Sequence, residues 1–284
     1  MSRNSKKINR QPAQSQTKPE TKPKLDLSSL SNLSFVVSTE EVALPSRGKF
    51  YKKESPLCGL EKIEIRHMTA KEEDLLSNTT DKNSENLFDK LVNSILVDKT
   101  ITAEMLLEED KMAILLKARE TGYGKTYTTL VYCEKCDSTT PVDFDLSRVG
   151  IREPLSKSEY DPESDCFSFH LEMMDIDVKL KRVTTAEREA LKKDQEKKTS
   201  LDLEFNYTLE FLKKCIVSFE ETRDPAIIAK VIELMPARDA KSIMEFEMTC
   251  MPKLDTTQEI TCGKCGNVAE REVPFSWAFF RTDV

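Results

Sequence analysis

The sequence predicts an α+β fold, with internally duplicated strand-helix units joined by a four-cysteine zinc ribbon. Three observations carry this expectation. Two Cys-x-x-Cys pairs, Cys133-Glu-Lys-Cys136 and Cys262-Gly-Lys-Cys265, each follow a β-prone run. Apolar residues switch along the chain between a period of two and a helical period. The order strand, capped helix, helix, cysteine pair occurs twice.

The first 30 residues are rich in Ser, Gln, Lys and Pro and nearly free of aliphatics, so they bury too little to offset the entropy of ordering and are expected to form a disordered basic tail. Residues 1–25 hold seven Lys or Arg against one Glu, which leaves 36 basic and 49 acidic residues, a net charge of −13, on the rest. The chain, at 284 residues and 38% hydrophobic, is long and apolar enough for a substantial core. No run of 18 apolar residues and no apolar amino-terminal segment occurs, so a cytosolic protein without a membrane span is expected.

The segment Leu44-Pro-Ser-Arg-Gly-Lys-Phe-Tyr51 reads as a sharp loop, with Pro45 fixing one dihedral, Gly48 permitting a positive one, and Phe50 and Tyr51 as anchors. Ile63 and Ile65 alternate with charges as a strand. Thr69-Ala-Lys-Glu72 matches a capping box that opens a helix. Leu87, Phe88, Leu91, Ile95 and Leu96 predict a second helix, and Leu106, Leu107, Ile114, Leu115 and Ala118 a third, ended by Gly122-Tyr-Gly124. Thr128 to Tyr132 is the strand that leads into the first cysteine pair.

In the second half, Phe167, Phe169 and Leu171 alternate, as do Ile176, Val178 and Leu180, predicting a hairpin around Met174-Asp175. Val178 to Thr184, with Glu187 and Leu191, matches Ile63 to Thr69, with Glu72 and Leu76, at an offset of 115. Phe211, Leu212, Ile216 and Val217, read as one helix, match Leu91, Val92, Leu96 and Val97 at 120. Asp239, Ile243 and Met244 match Asp110, Ile114 and Leu115 at 129, the offset that the cysteines share. The growing offset implies two insertions in the second copy, one of them the solvated run Lys192 to Ser200. The expected organisation is a tail (1–30), a first half (31–150) and a second half (151–284). The halves form one cooperative body, because neither supplies four thiolates alone.

A two-residue gap at a strand end turns both sulfurs of a pair to one side. Two such pairs supply a closed tetrahedral Zn2+ site without an open position for water or substrate. Cys133, Cys136, Cys262 and Cys265 are therefore the expected metal ligands, in a structural rather than catalytic role. Asp137 stands where Gly266 follows the second pair, and Asp tolerates the left-handed backbone a Gly would adopt there. Cys58, Cys166, Cys215 and Cys250 are expected as buried, reduced thiols.

No catalytic residues are expected. His67 and His170, the only histidines, read as structural. Gly124-Lys-Thr126 imitates the end of a phosphate-binding loop, but Arg119 occupies the position of its first Gly and a strand follows instead of a helix. Glu108-Glu-Asp110 and Glu187-Arg-Glu189 read as solvated helix charge. At the carboxyl end, Phe275 and Trp277 are expected to pack on the zinc ribbon, leaving Phe279 and Phe280 open to a protein partner.

Leu44-Pro-Ser-x-Gly-x-x-Tyr51, Met68-Thr-x-x-Glu-Glu73 with Leu75-Leu76, the Tyr123-Gly124 turn, the two cysteine pairs and Phe279-Phe280 follow one another in an order that resembles the T4-type phage baseplate hub assembly family, from about residue 40 onward. The resemblance implies a non-enzymatic viral protein that acts while the central hub of a contractile tail is built, as assembly chaperone or hub component. Its partners would be other baseplate hub and tail proteins. It would work in the host cytoplasm during assembly, or remain in the virion baseplate. The alternative is a zinc-ribbon nucleic-acid-binding protein using Lys135, Lys264 and the basic tail for phosphate contacts; the acidic body weighs against it.

Overall fold

The computed structural model describes residues 38–77, 84–155, 158–275 and 277–280; the expected tail lies outside them. The first half starts with two antiparallel strands, β1 (Thr39–Ala43) and β2 (Lys62–Arg66). Their alternation turns Val42, Ile63 and Ile65 inward. Helix α1 (Ala70–Ser77) starts after Thr69, whose N–H and hydroxyl both donate to the Glu72 carboxylate (2.9 and 2.7 Å). Helix α2 (Ser84–Ile95) follows, and Leu96 at its end bridges to Ile65 on β2.

The third predicted helix is shorter than its apolar spacing suggests. Ala103–Met105 forms a 3₁₀ turn, Leu107 is extended, and α3 runs over Glu108–Tyr123. The break has a local cause, since the Tyr51 hydroxyl takes the Leu107 N–H (3.0 Å) and so holds the chain just before the helix. Gly124 ends α3 at φ +93°, and β3 (Thr126–Cys133) pairs with β4 (Ser138–Asp145) in the first hairpin.

The second half is built on a four-stranded antiparallel sheet of β6 (Tyr160–Asp161), β7 (Cys166–Leu171), β8 (Ile176–Leu180) and β9 (Ile216–Phe219), in that order. Helices α4 (Thr185–Ser200), α5 (Tyr207–Cys215), α6 (Pro225–Leu234) and α7 (Ala237–Thr249) accompany it. Thr184 caps α4 in a complete capping box with Glu187. Ile216 and Val217, expected at the end of a helix, instead open β9. Leu180 pairs with Ile216 as Ile65 bridges to Leu96 in the first half. The β-branched pair thus continues the sheet. The Lys192 to Ser200 run is an exposed extension of α4.

After α7 the chain leaves the second core. β10 (Lys253–Asp255) pairs with β5 (Gly150–Arg152), and β11 (Thr257–Thr261) with β12 (Val268–Glu272) in a second hairpin. Val273, Phe279 and Phe280 then enter the first core, among Leu44, Ile65, Leu91, Ile114 and Phe144. The second core holds Phe167, Leu180, Leu212, Ile243 and Phe246. Phe50 reaches across from the loop of the first half and packs on Tyr160 and Phe167, with ring centroids 5.7 and 5.9 Å apart. Arg182 donates from one nitrogen to both Glu109 carboxylate oxygens (3.0 and 3.1 Å).

Candidate metal centre

Cys133 closes β3 and Cys136 lies in the turn before β4, while Cys262 and Cys265 occupy the same places between β11 and β12. The four sulfurs lie within 4.8 Å of one another, and Cys133–Cys265 and Cys136–Cys262 each stand 3.8 Å apart across the two hairpins. This set could hold a metal ion. Backbone geometry explains why the sequence folds so: Asp137 (φ +48°) and Gly266 (φ +68°) are both left-handed, so each turn reverses at the residue after its second cysteine. In the second turn, the Gly266 N–H donates to the Cys262 carbonyl (2.9 Å) and the Cys262 N–H to the Asn267 carbonyl (2.8 Å).

Amides aimed at sulfur also set the acidity. The N–H groups of Cys265 and Lys264 draw the Cys262 thiol down to about 6. Cys265 is lowered by the Asn267 N–H, but desolvation and the neighbouring thiols outweigh that and push it up to about 11. Four sulfurs so close cannot all ionise without a cation, whereas a bound cation makes all four thiolates favourable.

The hairpins are also fastened at the open end of the first hairpin and at its turn. Gln258 on β11 exchanges two hydrogen bonds with the Asp145 backbone (2.8 and 3.0 Å), and Arg271 on β12 pairs with Glu134 in the first turn (2.9 Å). Lys135 and Lys264 are exposed on the two turns. Cys133 and Cys262 are buried and Cys265 is exposed. Of the other four cysteines, Cys166, Cys215 and Cys250 are buried as expected, but Cys58 is exposed, because it sits in the loop between β1 and β2.

The loop motif has a structural use that its sequence did not reveal. Asp110, expected as solvated charge, is 0% exposed. Its carboxylate accepts from the Ser46 N–H (2.9 Å), the Ser46 hydroxyl (2.5 Å) and the Tyr51 hydroxyl (2.6 Å). Gly48 turns at φ +69°, and a Cβ there would collide with the Leu60 backbone nitrogen. Asp239, at the equivalent place on α7, is likewise buried and accepts from the N–H groups of Met173 (3.1 Å) and Met174 (3.0 Å) in the β7–β8 turn. The common offset of 129 pointed to these aspartates, but nothing in it signalled burial.

Phe279 and Phe280 are not open to a partner. They are 0% and 3% exposed, with Phe279 edge-on to Tyr127 (4.9 Å) and Phe280 against Phe88 (5.9 Å). Arg119 holds the backbone there, donating to the Phe279 carbonyl (2.8 Å). The physical reason is burial: two adjacent large rings gain more in the unfilled end of the first core than at the surface. Phe275 is half-buried and packs on Phe279, with ring centroids 4.4 Å apart and the planes tilted by 30°; the Trp277 side chain lies outside the described residues. The histidines sit beside carboxylates: His170 between Asp177 (2.7 Å) and Asp175 (3.4 Å), His67 near Glu40 (3.6 Å). Gly124-Lys-Thr126 leads into β3, not a helix.

No helix among the described residues is long and apolar enough to cross a membrane. Comparison with curated proteins and with solved structures found no significant match. A family model described as T4 bacteriophage base plate protein matches residues 37–280, which takes in both halves, both cysteine pairs and the Phe279-Phe280 end. The chain belongs to the T4 bacteriophage base plate protein family.

Proposed function

We propose that this baseplate protein acts in assembly of the central hub of the tail, as assembly chaperone or hub component, through protein contacts and without catalysis. Membership of a baseplate family implies contacts with other phage structural proteins, and the family match over residues 37–280 is the observation that carries the reading. The work would take place in the host cytoplasm during assembly, with the virion baseplate as the final location if the chain is a hub component. The site residues of this function are the four cysteines, as a structural Zn2+ site; none is catalytic.

Zinc fits the donor set. Four thiolates at a Zn–S distance of about 2.3 Å in a tetrahedron stand about 3.8 Å from one another, the separation of both cross-hairpin pairs. Soft thiolates also select zinc over the hard cations. The matching offsets, capping boxes and cysteine turns support an ancient duplication, with the two halves acting as one cooperative body through the shared metal. Elemental analysis of the purified protein is expected to give one zinc per chain; none, with all four thiols freely titratable, would refute the metal. For the hub role, the test is co-purification from infected cells set beside the protein content of purified particles. Hub proteins captured from cells, with the chain missing from particles, mark a chaperone. Capture with retention marks a component, and capture of no hub protein rejects the role.

A further inference from the structure

We infer that the four-cysteine centre is also a redox site: when an oxidant of the peroxide class reaches it, the sulfurs close into two disulfides across the hairpins, Cys133–Cys265 and Cys136–Cys262. This deepens the structural role proposed above for the same residues. It rests on their joining the two halves, not on the identity of the ion.

The separations select the partners. Cys133 and Cys265 stand 3.8 Å apart, as do Cys136 and Cys262, and each couple takes one sulfur from either hairpin. A disulfide is about 2 Å long, so each couple has about 2 Å to close, a movement made by turning side chains. The hairpins stay in place meanwhile, because Gln258 holds the Asp145 backbone (2.8 and 3.0 Å) and Arg271 holds Glu134 (2.9 Å). The two bridges tie positions 132 and 126 apart. They therefore restrain the hairpins from separating, as a shared ion does. A bridge inside either Cys-x-x-Cys pair consumes thiols and leaves the hairpins unlinked.

Exposure gives the order of events. Cys265 is exposed, Cys136 is intermediate, and Cys133 and Cys262 are buried, so an oxidant from solvent meets Cys265 first. The Cys265 sulfur attacks one peroxide oxygen. An S–O bond forms, the O–O bond breaks, and the thiol proton leaves with the second oxygen as water. The Cys133 sulfur then attacks the Cys265 sulfur. The S–S bond forms, the S–O bond breaks, and a second water carries off the hydroxyl and the Cys133 proton. Each disulfide thus consumes one hydrogen peroxide and two thiols and releases two waters. After the first, two sulfurs remain, too few for a closed four-coordinate site, and Cys136 and Cys262 close in the same way. A chain retained in a particle passes from a reducing cytoplasm, where thiols persist, to an oxidising medium, where disulfides do. The joint between the halves outlasts that passage in a second chemical form.

The test uses the full-length reduced chain with Cys58→Ser, which keeps the exposed thiol of the β1–β2 loop from cross-linking two molecules. Hydrogen peroxide is added in steps, and peptides mapped without reduction are set beside an assay of released metal. The expected result is Cys133–Cys265 after one equivalent, with release of the ion, and Cys136–Cys262 after the second. With a chelator present, hydrogen exchange at residues 126–145 and 257–272 is expected to be about tenfold slower in the oxidised chain than in the reduced one. Bridges within Cys133-Glu-Lys-Cys136 or Cys262-Gly-Lys-Cys265, or sulfinic acids in place of bridges, overturn the inference. Zinc found in the untreated chain leaves the metal reading standing in that case. Cross-hairpin bridges in a chain that is purified without metal refute the ion and support the inference. Equal exchange in the two chelator-treated chains overturns the claim that the bridges keep the joint.

Discussion

The two halves solve one problem twice, with different depth. In each, an aspartate at the start of a helix reaches back to fix a connection between two strands. In the first half, Asp110 is satisfied by a serine and a tyrosine from a long loop. In the second, Asp239 accepts only two backbone N–H groups of a tight turn, beside an exposed Met173. The same holds for the capping glutamates. Glu72 also accepts from Arg66 and Ser94, while Glu187 pairs with Lys181 alone beyond its cap. The difference teaches that the first half is the anchored one. It keeps its own core and receives the second hairpin and the Phe279-Phe280 end, so the second half depends on a joint that it does not own.

The four-cysteine joint is where that asymmetry is broken most severely. Cys133→Ser and Cys262→Ser are each expected to abolish metal binding and to remove on the order of 10 kcal/mol of apparent stabilisation. Hydrogen exchange should rise in both hairpins for either variant. A rise confined to the substituted hairpin would show that the halves are not coupled through the site.

The aspartates test whether anchoring differs as the contacts suggest. Asp110→Ala leaves three donors without their acceptor and is expected to cost about 4 kcal/mol; Asp239→Ala leaves two and is expected to cost about 2 kcal/mol. Urea denaturation of both variants checks the order, and equal losses would remove the distinction between the halves.

Acid should expose the glutamates. Burial alone would raise the Glu72 carboxyl, but Arg66, Thr69 and Ser94 outweigh it and hold it down at about 2; Glu187 is also lowered, by Lys181 and Thr184 against burial. A folded pKa below the unfolded one gives stability that is present above the ordinary carboxylate range and lost as pH falls towards 2. For Glu72 that contribution is roughly 3 kcal/mol. Glu72→Gln is therefore expected to flatten the loss of stability between neutral pH and about pH 2.5, measured by denaturation at a series of pH values, more than Glu187→Gln does.

The smallest effect concerns the two cysteine turns. Gly266→Asp copies Asp137 into the second turn, where a side chain meets no atom within 4 Å, and should cost at most about 1 kcal/mol with metal binding intact. Gly48→Ala, at a similar positive φ but against the Leu60 backbone, should cost several times more in the same thermal denaturation experiment.

Local signals were legible in the sequence because they act over a few residues. Cysteine spacing placed both turns, and the left-handed requirement after each pair was met by Asp137 and Gly266. The Thr-x-x-Glu pattern marked the starts of α1 and α4. Period-two alternation found β2, β7 and β8, and the β-prone runs before the cysteine pairs marked β3 and β11; the offset of 120 aligned Ile216 with Leu96 without revealing that Ile216 belongs to a strand paired with Leu180. By itself, then, the sequence determined the class of fold, the four thiols and the family order of motifs. Only the tertiary structure decided which core receives the carboxyl end, that Asp110 and Asp239 are buried, and that one hairpin faces outward with Leu130 and Tyr132 while its counterpart faces outward with glutamates. Burial is a property of what packs on a residue from elsewhere in the chain. Phe279 and Asp110 acquire their roles from partners 152 and 59 to 64 positions away, beyond the reach of any local pattern.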